Sequence, residues 1–438
     1  MPTGLLPSMR RTALAAAVAA LFHAVPAAAN PGDPVGAPIA VAGYGVTAAV
    51  ASDAAGDFVV VWAARNFPDC YCVGQNSVDI YARRFAADGT PAGSAFEVAT
   101  HVFQNPRLQN QKQNPVVAMD AEGDFVVAWD EFSLPQLDMV RAQRFAADGS
   151  RSGAEMLVSL HGVEPSVAMD KDGDFVVGWL GSNVLYVPQF PPIGYGELGV
   201  IGDGTVHAQR FKANGVPTTL DMVTDFVLEG AIISAIINSP GVAMDDAGDF
   251  IVVWQRAVGN PVQQGVYARR YTASGKAMAA RFQVSAPGDQ VYVNGSNVPA
   301  VAMDASGGFV VAWTAALPGG DGTNNVYMHL YLPDGTAAAA ETAVPQSALA
   351  QAVDPCVAMD PAGNFAVSWL NANPPATGLR LFAADGSARS GSIFFTGGAP
   401  GSTAALAMDA AGNPLLVVDS SSAAVTVKPI LAQRYSGN

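Results

Sequence analysis

Basic residues are scarce in this chain. Its 438 residues hold 22 Lys and Arg against 37 Asp and Glu, a net charge of −15. Nucleic acids and anionic membranes are bound by Lys/Arg patches, so neither is expected as a partner. Charge of both signs makes up only 13% of the residues, while 50% are apolar, which excludes a disordered chain. Histidines His101, His161, His207 and His329 share no spacing with Asp or Cys. Cys70 and Cys72 have no His nearby to complete a four-ligand metal site, and Cys356 stands alone. No H-E-x-x-H, G-x-S-x-G or phosphate-loop pattern occurs.

Long hydrophobic runs are also missing. The longest, Thr12 to Phe22, is too short to cross a bilayer. It follows Arg10-Arg11 and precedes Ala27-Ala28-Ala29, the layout of a secretory signal peptide over residues 1–29. The expected mature chain is soluble and exported, to the periplasm or outside the cell.

What the sequence has in abundance is repetition. The phrase V-A-M-D-x-x-G-D-F-V-V-x-W recurs seven times, led by Asp53, Asp120, Asp170, Asp245, Asp304, Asp360 and Asp409. A second phrase, Y-A-R-R-F-x-A-D-G, follows it, well kept in the first five copies and degraded in the last two. A short apolar run such as Ala95-Phe96-Glu97-Val98 then ends the unit. Each unit reads as four strands, a to d, with D-x-x-G and A-D-G as tight turns. Four strands per unit fit a propeller blade.

Copy seven stops before any strand d, and the segment 36–42 supplies a spare strand of the right kind. The expected fold is therefore all-β: one seven-bladed β-propeller over 30–438, closed by an N-terminal strand that completes the last blade. Blade cores begin near 48, 115, 165, 240, 299, 355 and 404.

Residues that repeat at one strand position are structural. Trp62, Trp129, Trp179, Trp254, Trp313 and Trp369 are every Trp in the chain and all end strand b. They should pack between blades. Asp57, Asp124, Asp174 and Asp249 follow the turn glycine in the same copies that keep Arg84, Arg144, Arg210 and Arg270 on strand c. An Arg between covered faces needs a partner, so a within-blade Asp–Arg ion pair is expected. No cofactor is expected. Calcium at the Asp-x-x-Gly-Asp turns is the alternative, but the motif supplies only two side-chain ligands and copies five to seven lose the second.

The b–c and d–a connections differ in every copy and emerge on one face of a propeller, which is the expected binding surface. Its aromatic and apolar candidates are Phe67, Tyr71, Phe132, Leu185, Tyr186, Phe190, Tyr195 and Tyr292. Carboxylates Asp130, Glu131, Asp138, Glu197 and Asp289 fall in the same connections. The expected function is a non-enzymatic module binding a protein or glycan at the cell envelope or outside the cell. The lack of spare Trp favours protein. A glycoside hydrolase or polysaccharide lyase using those carboxylates is the alternative.

The unit D-x-x-G-D-F-V-V-x-W / Y-A-R-R-F-x-A-D-G resembles the repeats of exported bacterial β-propeller-type proteins whose function is uncharacterised. The resemblance spans residues 36–438 and implies fold and export, but no activity. It departs from the WD, kelch and sialidase Asp-box signatures, so none of their activities follows.

Overall fold

A computed structural model describes residues 30–65, 78–99, 111–133, 137–182, 202–225, 236–237, 240–258, 263–291, 298–316, 323–344, 352–372, 375–395, 404–419 and 429–437. The strands form seven antiparallel four-stranded blades in a ring, with no helix among these residues. In blade one, strands a to d are Val46–Ser52, Phe58–Arg65, Val78–Phe85 and Phe96–Glu97. Strand b of every blade is apolar on both faces. Phe58 to Val61 and Phe309 to Val311 are all buried, because each sheet is covered on both sides by its neighbours.

Closure is made by the N-terminus. Pro34–Ala42 pairs antiparallel with Ile430–Tyr435 and becomes the outer strand of blade seven. The structure extends the expected strand by two residues at its start. Val41 then joins a core shared by blades seven and one, with Val417, Ile430, Phe58 and Trp62. Each of the seven apolar clusters spans one blade interface. One Trp sits in each of six of them, and Val418 takes that place between blades six and seven. Trp129, Trp254, Trp313 and Trp369 are fully buried.

The turn end of the ring is built by one repeated device. Asp120 Oδ1 accepts the amides of Glu122 and Asp124, at 3.0 and 2.9 Å, and caps the hairpin. The other oxygen faces the neighbouring blade. A Cβ added to Gly173 would meet Asp120 Oδ2 at 3.1 Å, and one on Gly56 would meet Asp409 Oδ2 at 3.1 Å. The last contact joins blade seven to blade one. These glycines also have φ of +84° and +91°, so both conformation and space require Gly.

The expected Asp–Arg pair forms in one blade only. Arg210 Nη2 lies 2.9 Å from Asp174 Oδ2 and 3.4 Å from Asp170 Oδ2. Arg84, Arg144 and Arg270 instead cross the interface and donate to the carbonyls of Ala147, Ala213 and Pro333 in the next blade. The paired aspartates are already engaged. Asp57, Asp124 and Asp249 accept the amides of Ala87, Ala147 and Ala273 at 2.7–2.8 Å within their own blades. Asp124 and Arg144 still interact through space, since Asp124 opposes the lowering of the Arg144 pKa by burial. Ala147 thus has its N–H held by its own blade and its C=O by the preceding one.

This accounts for the loss of the aspartate in blade five. Pro333 has no N–H to offer, and Gly308 stands where the Asp would be. In blade six Leu381 replaces the Arg, and Arg389 from the following turn donates to Gly437 of blade seven. Asn413 there accepts the Gly437 amide at 2.9 Å, in place of the aspartate.

Candidate functional site

At the other end of the ring, strand a begins with a recurring irregularity. Thr47, Asn114, Glu164 and Asp354 all have φ between 48° and 54°. All four stand six residues before the repeat Asp, and three precede a proline: Pro115, Pro165 and Pro355. The strand a–strand b register shifts at each of these points. Such bulges re-aim side chains, and left-handed non-glycine backbone costs about 1–3 kcal/mol per residue. The neighbouring blade helps hold the irregularity. Asp130 Oδ2 of blade two accepts the Glu164 amide of blade three at 3.0 Å, and Asp419 Oδ2 accepts the Ala48 amide of blade one at 2.9 Å.

Between blades two and three this arrangement encloses a cavity of about 270 Å³, lined by Asn114, Asp130, Glu131, Phe132, Asp138 and Glu164 among others. They come from strand a of blade two (Gln111–Met119), its strands b (Phe125–Ser133) and c (Leu137–Phe145), and strand a of blade three (Gly162–Met169). Phe132 pairs directly with Asp138, and Asp130 stands opposite Gln113. Asp130 Oδ2 also accepts Asn114 Nδ2 at 2.9 Å. Burial pushes the Asp130 carboxyl above its usual range; the Glu164 amide and Asn114 oppose this, and the Asp138 charge reinforces it. Glu131 is bridged by Arg141 at 2.9 Å, and the same guanidinium reaches Glu155 at 3.0 Å. Lys112, buried beside them, pairs with Asp79 at 2.8 Å.

The structure thus brings together three of the carboxylates expected on this face, Asp130, Glu131 and Asp138, with Phe132. Asp289 lies elsewhere, between blades four and five. Phe67, Tyr71, Leu185, Tyr186, Phe190, Tyr195 and Tyr292 fall outside the described residues, as do Cys70, Cys72, Glu197 and the expected signal segment 1–29. Asn114 and Glu164 were missed by sequence reasoning. Their signal was the X-Pro step before the V-A-M run, which places a bulge at the mouth of the strand.

A second cavity, of about 210 Å³, opens on the axis at the turn end. Met119, Met169, Met303 and Met359 ring it, with the hairpin aspartates. Its lining is nearly the same from blade to blade, which marks it as a product of the repeat. The lining between blades two and three varies round the ring: after the Trp, or after Val418 in blade seven, stand Ala63, Asp130, Leu180, Gln255, Thr314, Leu370 and Asp419, so only blade seven shares the acid of blade two. Among the described residues no group of three or more His, Cys, Asp or Glu is placed to hold a metal ion.

The fold defines the chain as a seven-bladed β-propeller. No family model matches it, and no curated protein matches it. Solved structures similar to it include polysaccharide lyase Uly1, at 10% identity and a TM-score of 0.53, over 92% of this chain and all of that one. A protein of unknown function from Dyadobacter fermentans is 15% identical, with a TM-score of 0.47, over 73% of this chain and 93% of that one. An α-L-arabinanase of Penicillium chrysogenum, complexed with arabinobiose, is 11% identical, with a TM-score of 0.46, over 92% and 97%. At such identities the likeness is one of fold. No helix among the described residues is long and apolar enough to cross a membrane.

Proposed function

We propose that this chain is an exported, non-enzymatic propeller that binds a saccharide in the cavity between blades two and three. The observation that carries this reading is the convergence of Asn114, Asp130, Asp138 and Glu164 with Phe132 in a concavity of about 270 Å³. Directional carboxylate and amide groups beside one apolar ring suit a small polyhydroxylated ligand. A volume at the low end of ligand pockets, about 300–1,000 Å³, suits one sugar unit better than a protein side. The geometry therefore reverses the preference for a protein partner drawn from the missing Trp. The reading calls for no cofactor, so melting in EDTA and in excess calcium should coincide. A calcium-dependent rise in melting temperature would contradict that part.

The test is a glycan array probed with the wild-type chain and with Asp138→Asn and Asn114→Ala. Retention of one glycan class by wild type, weakened at least tenfold in both variants, supports the reading. Equal retention by all three would place binding elsewhere. One observation favours the hydrolase or lyase alternative. Burial, with the Asp138 charge assisting, raises the proton affinity of Asp130, the direction a general acid needs. Release of reducing ends or unsaturated products from a retained glycan, abolished by Asp130→Asn, would select that alternative.

A further inference from the structure

Between blades four and five, Ala286-Pro287-Gly288-Asp289 forms a tight turn, closed by the Asp289 amide donating to Ala286 C=O at 3.2 Å. It joins strand d of blade four (Phe282–Gln283) to Gln290–Val291, which pairs with Ala315 and Ala316 of blade five. The Ala286 amide donates to two carboxylates at once, Asp289 Oδ2 at 3.1 Å and Glu341 Oε2 at 3.0 Å. Glu341 precedes strand d of blade five (Thr342–Ala343). Two carboxylate oxygens that accept the same N–H are held close together, and the Asp289 charge opposes ionisation of Glu341. Two carboxyls crowded onto one donor cannot both ionise cheaply, so a proton is favoured on one of them.

No cation compensates the pair: among the described residues neither acid has an ion-pair partner. The groups facing it are the phenols Tyr327 and Tyr331 of strand c of blade five, both felt by the Glu341 charge. Nearby His329 has its Nδ1 within hydrogen-bond reach of Val284 C=O, at 3.1 Å, and of the Tyr331 hydroxyl, at 3.0 Å.

We propose that Asp289 and Glu341 form a one-proton clasp that fastens the segment Ala286–Val291 to blade five in acid and loosens it as the pH rises past neutrality. The direction follows from linkage. Both carboxyls are raised, chiefly by burial, and Glu341 reaches about 7. The folded chain therefore keeps a proton that the unfolded chain releases at lower pH. The stabilisation is full in acid, falls from the ordinary carboxylate range upward and is gone above about 7.

The test is peptide-resolved hydrogen exchange of the full chain at pH 5 and pH 8, corrected for intrinsic exchange rates. Amides of 286–291 should open about tenfold more often at pH 8 in wild type, as expected for loss of one linked proton, with blades one and two unchanged. Glu341→Gln keeps a neutral hydrogen-bonding partner for Asp289 and should remove this pH response. Asp289→Asn should do the same and carries the comparison if the first variant does not fold. Equal protection of wild type at the two pH values, or an unchanged response in both folded variants, would overturn the clasp.

Discussion

The two ends of this propeller are made from opposite kinds of sequence. The turn end carries one hairpin seven times, with its aspartates and turn amides engaged by partners fixed by the repeat. The loop end combines a strained turn of backbone found in four blades with side chains that differ between most of them, Asp130 recurring only as Asp419. A ring of blades can close only if all interfaces match, so sameness belongs where blades meet. Recognition needs difference, so it belongs where the repeat is broken.

The largest expected effect tests ring closure. Deleting Pro34–Ala42 leaves blade seven with three strands, uncovers Val41's partners and opens a sheet edge. Loss of cooperative unfolding with gain of aggregation is expected by calorimetry and light scattering. Next is Trp129→Ala, which should cost about 3–5 kcal/mol in denaturant unfolding through the cavity it leaves between blades one and two. The equivalent Val418→Ala, between blades six and seven, should cost roughly 2 kcal/mol, because fewer methyl groups are removed. Equal losses would show that the tryptophans are not what sets interface strength.

A smaller effect is expected at the interblade arginines. Arg144→Leu breaks the bond to Ala213 and should cost about 1–2 kcal/mol. Asp124→Asn should cost less, since the amide oxygen can still accept from Ala147. The smallest effect is one of pH. Burial raises the Asp120 carboxyl to about 6, with the flanking amides opposing and neighbouring acids assisting. Its folded pKa lies above the unfolded value, so stability falls as pH rises from about 4 through about 6. Asp120→Asn should flatten that stretch of the stability–pH curve by a small amount. An unchanged slope would contradict it.

The ring was legible because its determinants are periodic. Asp409, Gly412 and Val418 identify the seventh blade even though its strand c phrase is degraded, and the absent strand d pointed to 36–42. The Asp57–Arg84 contact was misread for a definite reason. Cross-strand neighbours within a blade can be inferred from the pattern, whereas a guanidinium reaching Ala147 of the next blade depends on the distance between sheets. The cavity was legible in its carboxylates and Phe132 and not in Asn114 or Glu164. Their exposure to one another follows from a bulge on one blade meeting strand b of another, a juxtaposition no single repeat encodes.

The division of labour between the ends is tested most directly by one paired experiment on Asp138→Asn and Arg144→Leu, measuring melting temperature and glycan-array retention for both. The account predicts that Asp138→Asn melts close to wild type and loses the glycan, while Arg144→Leu melts lower and, below its transition, retains it. Loss of the glycan by Arg144→Leu in its folded state, with full retention by Asp138→Asn, would contradict the assignment of binding to the loop end.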